Sequence, residues 1–209
     1  MMTRVAVSVE GPTEEAFVKE VLAPSLAVRS IQLDPINMRG NVSLPRVATE
    51  IYKLSFNYDV ITTFYDFYGF KNRPTPNVKT LEEAIGGEVN KIFTRNGRCF
   101  NADTVHPYIQ LHEFEALLFS NVQVFELIPG VTKAHIAALA QIRNAFVTPE
   151  DINDSPQTAP SKRLGAMKFR YDKVEYGPVL ALEIGLETIR AACPRFGEWA
   201  GAYGFKSDF

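Results

Sequence analysis

Short apolar runs alternate with amphipathic stretches along this chain. Val5 to Val9 is a β-branched run that predicts a buried strand, and Asp59 to Tyr65 is the strongest such run. Ser30 to Met38 predicts a strand between them, which Pro35 weakens because proline donates no ladder hydrogen bond. Val105 to Leu111 predicts a further strand. Strands that alternate with helices are typical of an α/β protein with a mostly parallel sheet.

Apolar residues at helical spacing predict the helices that separate these strands. Thr13 is a suitable N-cap for the first helix, and Glu14 and Glu15 suit its first turn. Gly86 and Gly87 weaken one of the later helices. The predicted helical stretches are those around Phe17, Val21 and Leu22, around Val47, Ile51 and Leu54, around Leu81, Ile85, Val89 and Ile92, from Glu113 to Phe119, from Lys133 to Phe146 and from Val179 to Ala192.

The segments between these elements indicate how the domain is organised. Thr148 to Lys162 predicts a long polar loop, and Cys193 and Pro194 end the last clear helix. Neither an internal repeat nor a long linker divides the chain. The sequence therefore predicts a single α/β domain over residues 1–209, in which residues 147–209 form a loop and a C-terminal helical region packed on the rest.

Composition and charge exclude several classes of protein. The chain has 209 residues, with 22 Lys and Arg against 24 Asp and Glu, so bulk attraction to nucleic acid is excluded but a local basic patch is not. Two cysteines, Cys99 and Cys193, are too few for a disulfide framework and lack zinc-site spacing. The N-terminal run resembles no signal peptide, and no apolar stretch approaches the roughly 20 residues of a membrane span. We expect a cytoplasmic protein without membrane contact.

Acidic residues follow three of the predicted strands. Glu10 and Gly11 follow the first strand, Asp66 follows the third, and Glu113 and Glu115 follow the fourth. The carboxyl ends of parallel strands share one sheet edge, where ligands bind. Two like charges ~4 Å apart repel by about 4 kcal/mol at an effective dielectric of 20, so a convergent cluster needs a cation or altered protonation. Acids at helix N-termini also favour the helix dipole, but their recurrence at three strand ends favours a Mg²⁺ or Mn²⁺ site.

Six segments of the chain resemble the DUF4276 family. They are Val9 to Glu14 (VEGPTE), Tyr65 to Phe70 (YDFYGF), Pro107 to Phe119 (PYIQLHEFEALLF), Ala159 to Leu164 (APSKRL), Tyr171 to Lys173 (YDK) and Cys193 to Trp199 (CPRFGEW). The resemblance runs from about Val5 to Trp199, and the HEFEALLF and APSKR segments are its most specific parts. It implies a branch of the Toprim-like proteins, related in fold to the nuclease half of OLD-type proteins.

The resemblance also implies a fold and a metal site. The fold is Toprim-like and Rossmann-like, with a mostly parallel central sheet flanked by helices and a C-terminal helical extension. A Toprim site has a catalytic Glu after the first strand and an Asp-x-Asp pair after a later one, with Mg²⁺ between them. Glu10 matches the Glu and Asp66 the first Asp, whereas Tyr68 stands at the second. We infer that Glu113 or Glu115 supplies the missing carboxylate, and that Glu10, Asp66 and Glu113 hold the metal.

A local excess of basic residues lies between Pro160 and Tyr176. Ser161, Lys162 and Arg163, together with Lys173, are candidate phosphate ligands, because arginine can bind two phosphate oxygens and lysine acts as a point charge. A solvated basic surface, or a structural salt bridge to one of the acids, is the alternative. DNA or RNA is the natural target of a metal cluster beside a basic segment.

Histidine and aromatic residues add further candidates. His112, beside Glu113, could serve as a general acid or base, although such a histidine more often caps a helix or pairs with an acid. Aromatic residues in YDFYGF, among them Tyr68, could stack on bases or form the core. The sequence contains no Gly-rich phosphate loop and no dinucleotide fingerprint, which argues against a kinase or a dehydrogenase.

The function predicted from these features is Mg²⁺-dependent phosphoryl transfer by a Toprim-like nuclease. Similarity to related families implies antiphage defence together with an ABC-type ATPase, which would be another chain because no Walker motif is present here. The first alternative is a non-catalytic Toprim-like module that binds nucleic acid or a partner protein. The second is an enzyme acting on a small phosphorylated or nucleotide substrate, which would need a narrow, closed pocket in place of an open groove.

Overall fold

A five-stranded parallel sheet forms the centre of the chain in a computed structural model that describes residues 2–27, 30–153 and 155–202. The strands run in the spatial order β2, β1, β3 and β4, and β5 also pairs with β3. Their bounds are β1 (Thr3–Val9), β2 (Ile31–Asn37), β3 (Val60–Asp66), β4 (Val105–His106) and β5 (Ile109–Gln110). The predicted α/β class with a mostly parallel sheet is confirmed.

Helices cover both faces of this sheet. They are α1 (Pro12–Phe17), which continues through a π-helical turn (Val18–Leu22) into α2 (Ala23–Ala27), then α3 (Leu44–Leu54), α4 (Val78–Arg95), α5 (Glu115–Leu118), α6 (Lys133–Asn144), α7 (Pro160–Ala166), α8 (Lys173–Ile184), α9 (Leu186–Ala192) and α10 (Pro194–Ala202). Short 3₁₀ turns lie at Ala102–Thr104, Val122–Leu127, Pro149–Asp151 and Pro156–Thr158. No helix in the described part of the chain has both the length and the apolar character needed to cross a membrane.

Each face of the sheet has its own apolar core. Along β1, Val5, Val7 and Val9 point into the core beneath α1 and α8, whereas Ala6 points into the core beneath α3 and α4. The two central strands are therefore buried on both sides, which explains why they are nearly continuous apolar runs in the sequence. Residues 203–209, the end of the predicted C-terminal region, lie outside the described residues.

The predicted strand from Val105 to Leu111 is interrupted at Pro107. The structure has two short strands there, and threonine hydroxyls of β3 bridge the interruption. Thr62 Oγ1 donates to the carbonyl of His106 at 2.6 Å, and Thr63 Oγ1 donates to the carbonyl of Tyr108 at 2.7 Å. Proline has no N–H to continue the hydrogen-bond ladder between the strands. The threonine hydroxyls therefore bind backbone carbonyls that backbone N–H groups would bind in a regular parallel pair.

Several predicted helix bounds are wrong. The first helix begins at Pro12, with Gly11 rather than Thr13 as its N-cap, because proline suits the first helical position. The predicted loop from Thr148 to Lys162 ends at Pro160, where α7 begins, so Ser161 lies on a helix. The helix predicted from Val179 to Ala192 is two helices, α8 and α9, which meet at Gly185. Gly185 has a φ of 81°, a left-handed conformation that breaks the helix.

Helix α4 continues through Gly86 and Gly87 without a break. No atom lies within 4 Å of where a Cβ would stand on Gly87, so there is space for alanine. We expect Gly87→Ala to raise the free energy of unfolding by about 0.5–1 kcal/mol, because alanine restricts the unfolded chain more than glycine does. Thermal and denaturant unfolding would measure this gain. A loss of stability would show that the exposed side of α4 tolerates no added methyl group.

Candidate functional site

The carboxyl edge of the sheet gathers four carboxylates. Glu10 directly follows β1, and Asp66 is the last residue of the neighbouring strand β3. Glu14 lies in the first turn of α1, and Glu115 is the first residue of α5. The adjacency of β1 and β3 brings residues that are 56 positions apart in the sequence, Glu10 and Asp66, to the same edge.

Lys173 lies among three of these carboxylates. Its ammonium Nζ is 2.7 Å from Asp66 Oδ2, 3.0 Å from Glu14 Oε1 and 3.5 Å from Glu115 Oε2. Lys173 is the first residue of α8, and the Asp172 side chain caps that helix by accepting hydrogen bonds from two backbone N–H groups. Because α8 packs against both α1 and α5, the lysine is brought to the sheet edge from the helical layer.

Backbone N–H groups orient two of the carboxylates. Asp66 Oδ1 accepts a 2.7 Å hydrogen bond from the N–H of Phe114, which leaves Oδ2 for Lys173. Glu14 Oε2 accepts from the N–H of Gly11 at 3.1 Å, which leaves Oε1 for the same ammonium. Each carboxylate is therefore held at one oxygen by the backbone and at the other by lysine.

Glu10 lies beside this cluster and packs against Gly69. A Cβ added to Gly69 would stand within 2.6 Å of all three carboxyl atoms of Glu10, so only glycine leaves room for the carboxylate as it lies. Among the described residues, Glu10 Oε2 is buried and accepts no hydrogen bond. The Oε2 atom of Glu115 and the hydroxyl of Tyr171 are likewise buried without a hydrogen-bond partner. Buried oxygens of this kind are costly unless something binds them.

The cluster carries more negative charge than one ammonium neutralises. Burial raises the pKa of Glu10, and the charge of Glu14 raises it further. Burial also raises the pKa of Asp66 well above its ordinary value, and Lys173 opposes this rise only in part. Burial lowers the pKa of Lys173, but the surrounding carboxylates outweigh that effect and hold its pKa well above the ordinary value. The Lys173 ammonium therefore stays charged, whereas Glu10 and Asp66 resist ionising without a further cation.

Glu113 and Glu115 have different surroundings. Glu113 Oε2 accepts a 2.9 Å hydrogen bond from the N–H of Ser161, near the start of α7. The carboxylate of Glu113 therefore binds an otherwise unpaired backbone donor at a helix N-terminus, whereas that of Glu115 faces Lys173. Glu115 is thus the better placed of the two to complete a site with Asp66.

Tyr68 and His112 form a pair beside the cluster. Their ring centroids are 5.6 Å apart, and the Tyr68 hydroxyl accepts a 2.6 Å hydrogen bond from Asn153 Nδ2. His112 has a left-handed φ of 64°, and burial lowers its pKa more than the charges of Glu113 and Asp151 raise it, which favours the neutral ring. Its Nδ1 atom is buried without a hydrogen-bond partner among the described residues. The phenol of Tyr68 is thus bound by an amide and not by a carboxylate.

Comparisons with known proteins identify the family. The sequence matches the model of Domain of unknown function (DUF4276) over residues 9–202. The chain belongs to the DUF4276 family. No curated protein matches it at a significant level. The DUF4276 chain is also similar to the solved C-terminal region of the Burkholderia pseudomallei OLD protein, which confirms the expected relationship in fold.

Two solved structures show the extent of the likeness. The C-terminal region of the Burkholderia pseudomallei OLD protein is 17% identical, with a TM-score of 0.50, and the match covers 98% of this chain and 100% of that one. The C-terminal region of the Xanthomonas campestris pv. campestris OLD protein, phased with mercury, is 16% identical, with a TM-score of 0.46. That match covers 96% of this chain and 97% of the other. At this identity the likeness concerns the fold alone.

The basic residues of the DUF4276 chain do not form one group. Lys162 is exposed on α7, whereas Arg163 Nε donates to the carbonyl of Thr158 at 2.7 Å and its guanidinium lies 5.2 Å from the Phe146 ring centroid. Lys173 is bound to the carboxylates. Of the predicted phosphate ligands, Lys162 is therefore the side chain that faces solvent.

Glu14, Gly69 and Tyr171 belong to the site but are not among the residues that the sequence predicts for it. Glu14 lies four residues after Glu10 across a strand-to-helix turn, and this spacing is the available signal. The helix dipole alone explains an acid at this position, so the sequence does not indicate that Glu14 belongs to the site. Gly69 and Tyr171 carry no local signal, because their proximity to Glu10 and Glu115 depends on the tertiary fold.

Proposed function

We propose that this DUF4276 chain is a metal-dependent phosphoryl-transfer module, and specifically a Toprim-like nuclease that acts on DNA or RNA. The observation that carries the proposal is the excess of carboxylate at the carboxyl edge of the sheet. Glu10, Glu14, Asp66 and Glu115 meet there, and the ammonium of Lys173 contacts the last three of them. Active sites often shift acid pKa values through burial and like charges in this way.

The residues fit a hard divalent cation in chemistry and charge. Carboxylate oxygens are the ligands that Mg²⁺ and Mn²⁺ prefer, and Glu10 Oε2 and Glu115 Oε2 are buried without hydrogen-bond partners. As they lie, no group of three or more His, Cys, Asp or Glu side chains in the described part of the chain is arranged to hold a metal ion. Lys173 Nζ occupies the space that Glu14, Asp66 and Glu115 share.

The residues that would hold Mg²⁺ or Mn²⁺ are Glu10, Asp66 and Glu115, with Glu14 beside them. A bound divalent cation would activate water and stabilise charge that develops on a phosphate. Phe114 and Gly11 fix the carboxylates of Asp66 and Glu14 through backbone N–H groups, so these acids are oriented before any ligand arrives. Glu113 supports the same edge indirectly, because it ties α7 to the segment that precedes Glu115.

A non-catalytic module is the second candidate, and one observation favours it. The ammonium of Lys173 already partners three of the four carboxylates. If it never leaves, the cluster is a structural ion network and the chain binds nucleic acid or a partner protein. We also propose that the chain acts in antiphage defence together with an ABC-type ATPase. The family resemblance supports this role.

Hydrolysis of a phosphodiester tests the proposal against this alternative. Plasmid DNA, single-stranded DNA and RNA would be incubated with the wild-type chain and Mg²⁺ or Mn²⁺, and then with chelator. We expect metal-dependent cleavage whose rate Asp66→Asn lowers by about a hundredfold or more, since a metal site lowers the barrier by several kcal/mol. The amide oxygen of the substituted side chain would still accept from the N–H of Phe114, so the fold should survive.

Asp59→Asn is the matched control for this substitution. Asp59 precedes β3 at its opposite end, where its carboxylate accepts from the backbone N–H of Arg4 at 2.8 Å. Asp59→Asn makes the same chemical change far from the cluster and should leave the rate of cleavage unchanged. Cleavage that persists in Asp66→Asn, or a wild-type chain that cleaves none of the three substrates, would favour the non-catalytic module.

Lys162 is expected to contribute to nucleic-acid binding. Lys162→Ala should weaken binding and reduce the slope of log K against log salt by about 1, because one phosphate contact is lost. Fluorescence anisotropy across a salt series measures this slope, and Lys91→Ala, an exposed lysine on α4, is the control. An unchanged slope in Lys162→Ala would remove this residue from the binding surface.

A further inference from the structure

Lys173 lies at a position where helix electrostatics disfavour a cation. It is the first residue of α8, where the helix dipole is positive and acidic residues are preferred. The Asp172 side chain and Glu175 supply acidic groups at that terminus, but Lys173 extends away from it into the carboxylate cluster. A lysine at this place therefore gains its stabilisation from the cluster and not from its own helix.

The ammonium links three separate elements. Its contacts reach Glu14 on α1, Asp66 on β3 and Glu115 on α5, at 3.0, 2.7 and 3.5 Å. The Glu115 side chain is 4% exposed, and its Oε2 atom has no hydrogen-bond partner among the described residues. The singly charged ammonium therefore lies among acceptor oxygens that it satisfies incompletely, in a place where a cation of higher charge could lie.

Lys173 also has a route out of the cluster. Its side chain is 30% exposed, whereas those of Glu14 and Glu115 are each 4% exposed. The lysine stem has four flexible carbons, so the ammonium can turn to solvent without moving the helix. The carboxylates of Asp66 and Glu14 would stay in place, because the backbone N–H groups of Phe114 and Gly11 hold them.

Resting on the proposed function, we propose that the Lys173 ammonium is a built-in counter-ion that competes with a divalent cation for Glu14, Asp66 and Glu115. The lysine and the metal are then mutually exclusive in the cluster. In metal-free protein the lysine keeps the four acids compatible with a folded sheet edge. Metal loading displaces the ammonium from the carboxylates towards solvent.

Calorimetric titration with Mn²⁺ tests this competition. Lys173→Met, which removes the charge but keeps an unbranched stem, should bind Mn²⁺ at least about tenfold more tightly than wild type, because no ammonium opposes the ion. Lys173→Arg keeps the charge and should not gain affinity. Lys91→Met, on the exposed side of α4, is the control for the substitution itself.

A second measurement uses the wild-type chain and does not depend on the folding of a variant. Amine acylation followed by mass spectrometry reports the reactivity of each lysine. Lys173 should react slowly in metal-free protein and at least about tenfold faster with saturating Mn²⁺, whereas Lys162 should react equally in both because it is already exposed.

The outcomes separate this inference from the proposed function. Mn²⁺ binding of equal or lower affinity in folded Lys173→Met, or Lys173 acylation that Mn²⁺ does not accelerate, would overturn the competition and leave a metal site standing. Absence of Mn²⁺ binding in both wild type and Lys173→Met would overturn the metal site and the competition together.

Discussion

Glu10→Gln is expected to lose divalent-cation binding and yet to unfold at a higher temperature than the wild-type chain in metal-free buffer at pH 8. The carboxylate of Glu10 is buried beside Glu14, and burial together with that charge raises its pKa above 4.5. An amide of the same shape removes the charge that the folded state disfavours. A gain of about 1 kcal/mol corresponds to about 2–4 °C for a chain of this size.

The stability gain should depend on pH with a defined sign. The folded-state pKa of Glu10 is raised above its ordinary value. Below the pKa of the unfolded chain, Glu10 is protonated in both states and does not lower the stability of wild type. The wild-type chain then loses stability as the pH rises through the folded-state pKa. The difference in melting temperature between Glu10→Gln and wild type should therefore be small at about pH 4 and grow as the pH rises from there towards about pH 8. Thermal unfolding across this range measures it.

Calorimetry with Mg²⁺ and Mn²⁺ measures the expected loss of cation binding in Glu10→Gln. Glu88→Gln is the matched control, because Glu88 forms an exposed ion pair with Lys91 on α4, remote from the sheet edge. Metal binding retained in Glu10→Gln would show that Asp66 and Glu115 suffice without Glu10. A lower melting temperature at pH 8 would show that the Glu10 carboxylate stabilises the fold directly.

The position of the acids could be predicted because it follows from strand topology. Glu10 and Asp66 each come at the end of a β-branched run, and parallel strands place such residues at a shared edge. This inference needs only the pattern of apolar residues and the parallel arrangement. It locates the sheet edge correctly although the predicted bounds of several helices are wrong.

The choice between Glu113 and Glu115 could not be made from the sequence. Glu113 lies in the turn before α5 and Glu115 is the first residue of that helix, and their side chains point to different partners. The turn includes His112 in a left-handed conformation, which local propensity does not predict for a histidine. The partner of Glu113 is a backbone N–H of α7, in a segment that the sequence predicts to be a loop.

Lys173 shows how a basic run can conceal residues of opposite roles. Sequence proximity alone assigns Lys162 and Lys173 to the same phosphate-binding segment. In the structure α7 leaves Lys162 exposed, whereas the start of α8 directs Lys173 inward to Asp66. The one sequence signal is a lysine at the positive end of a helix, which is unfavourable unless an acidic partner lies nearby.

Gly69→Ala is expected to abolish metal binding and metal-dependent cleavage while the chain remains folded. The new Cβ would stand within 2.6 Å of all three carboxyl atoms of Glu10, so the carboxylate must move away. The obstructed group is the end of a flexible side chain, and Gly69 does not have a left-handed φ, so the backbone can accept alanine. We therefore expect a displaced Glu10 rather than an unfolded protein.

Gly87→Ala provides the matched comparison, since the same methyl group meets no atom within 4 Å on α4. Circular dichroism and thermal unfolding should show both variants folded, while Mn²⁺ calorimetry separates them. Gly69→Ala combined with Glu10→Gln should lack Mn²⁺ binding as each single variant does, and it should remain folded, because both substitutions act on the same carboxylate. Wild-type Mn²⁺ affinity in Gly69→Ala would mean that the carboxylate of Glu10 reaches the cation from a different position, and that its contact with Gly69 is incidental to the site.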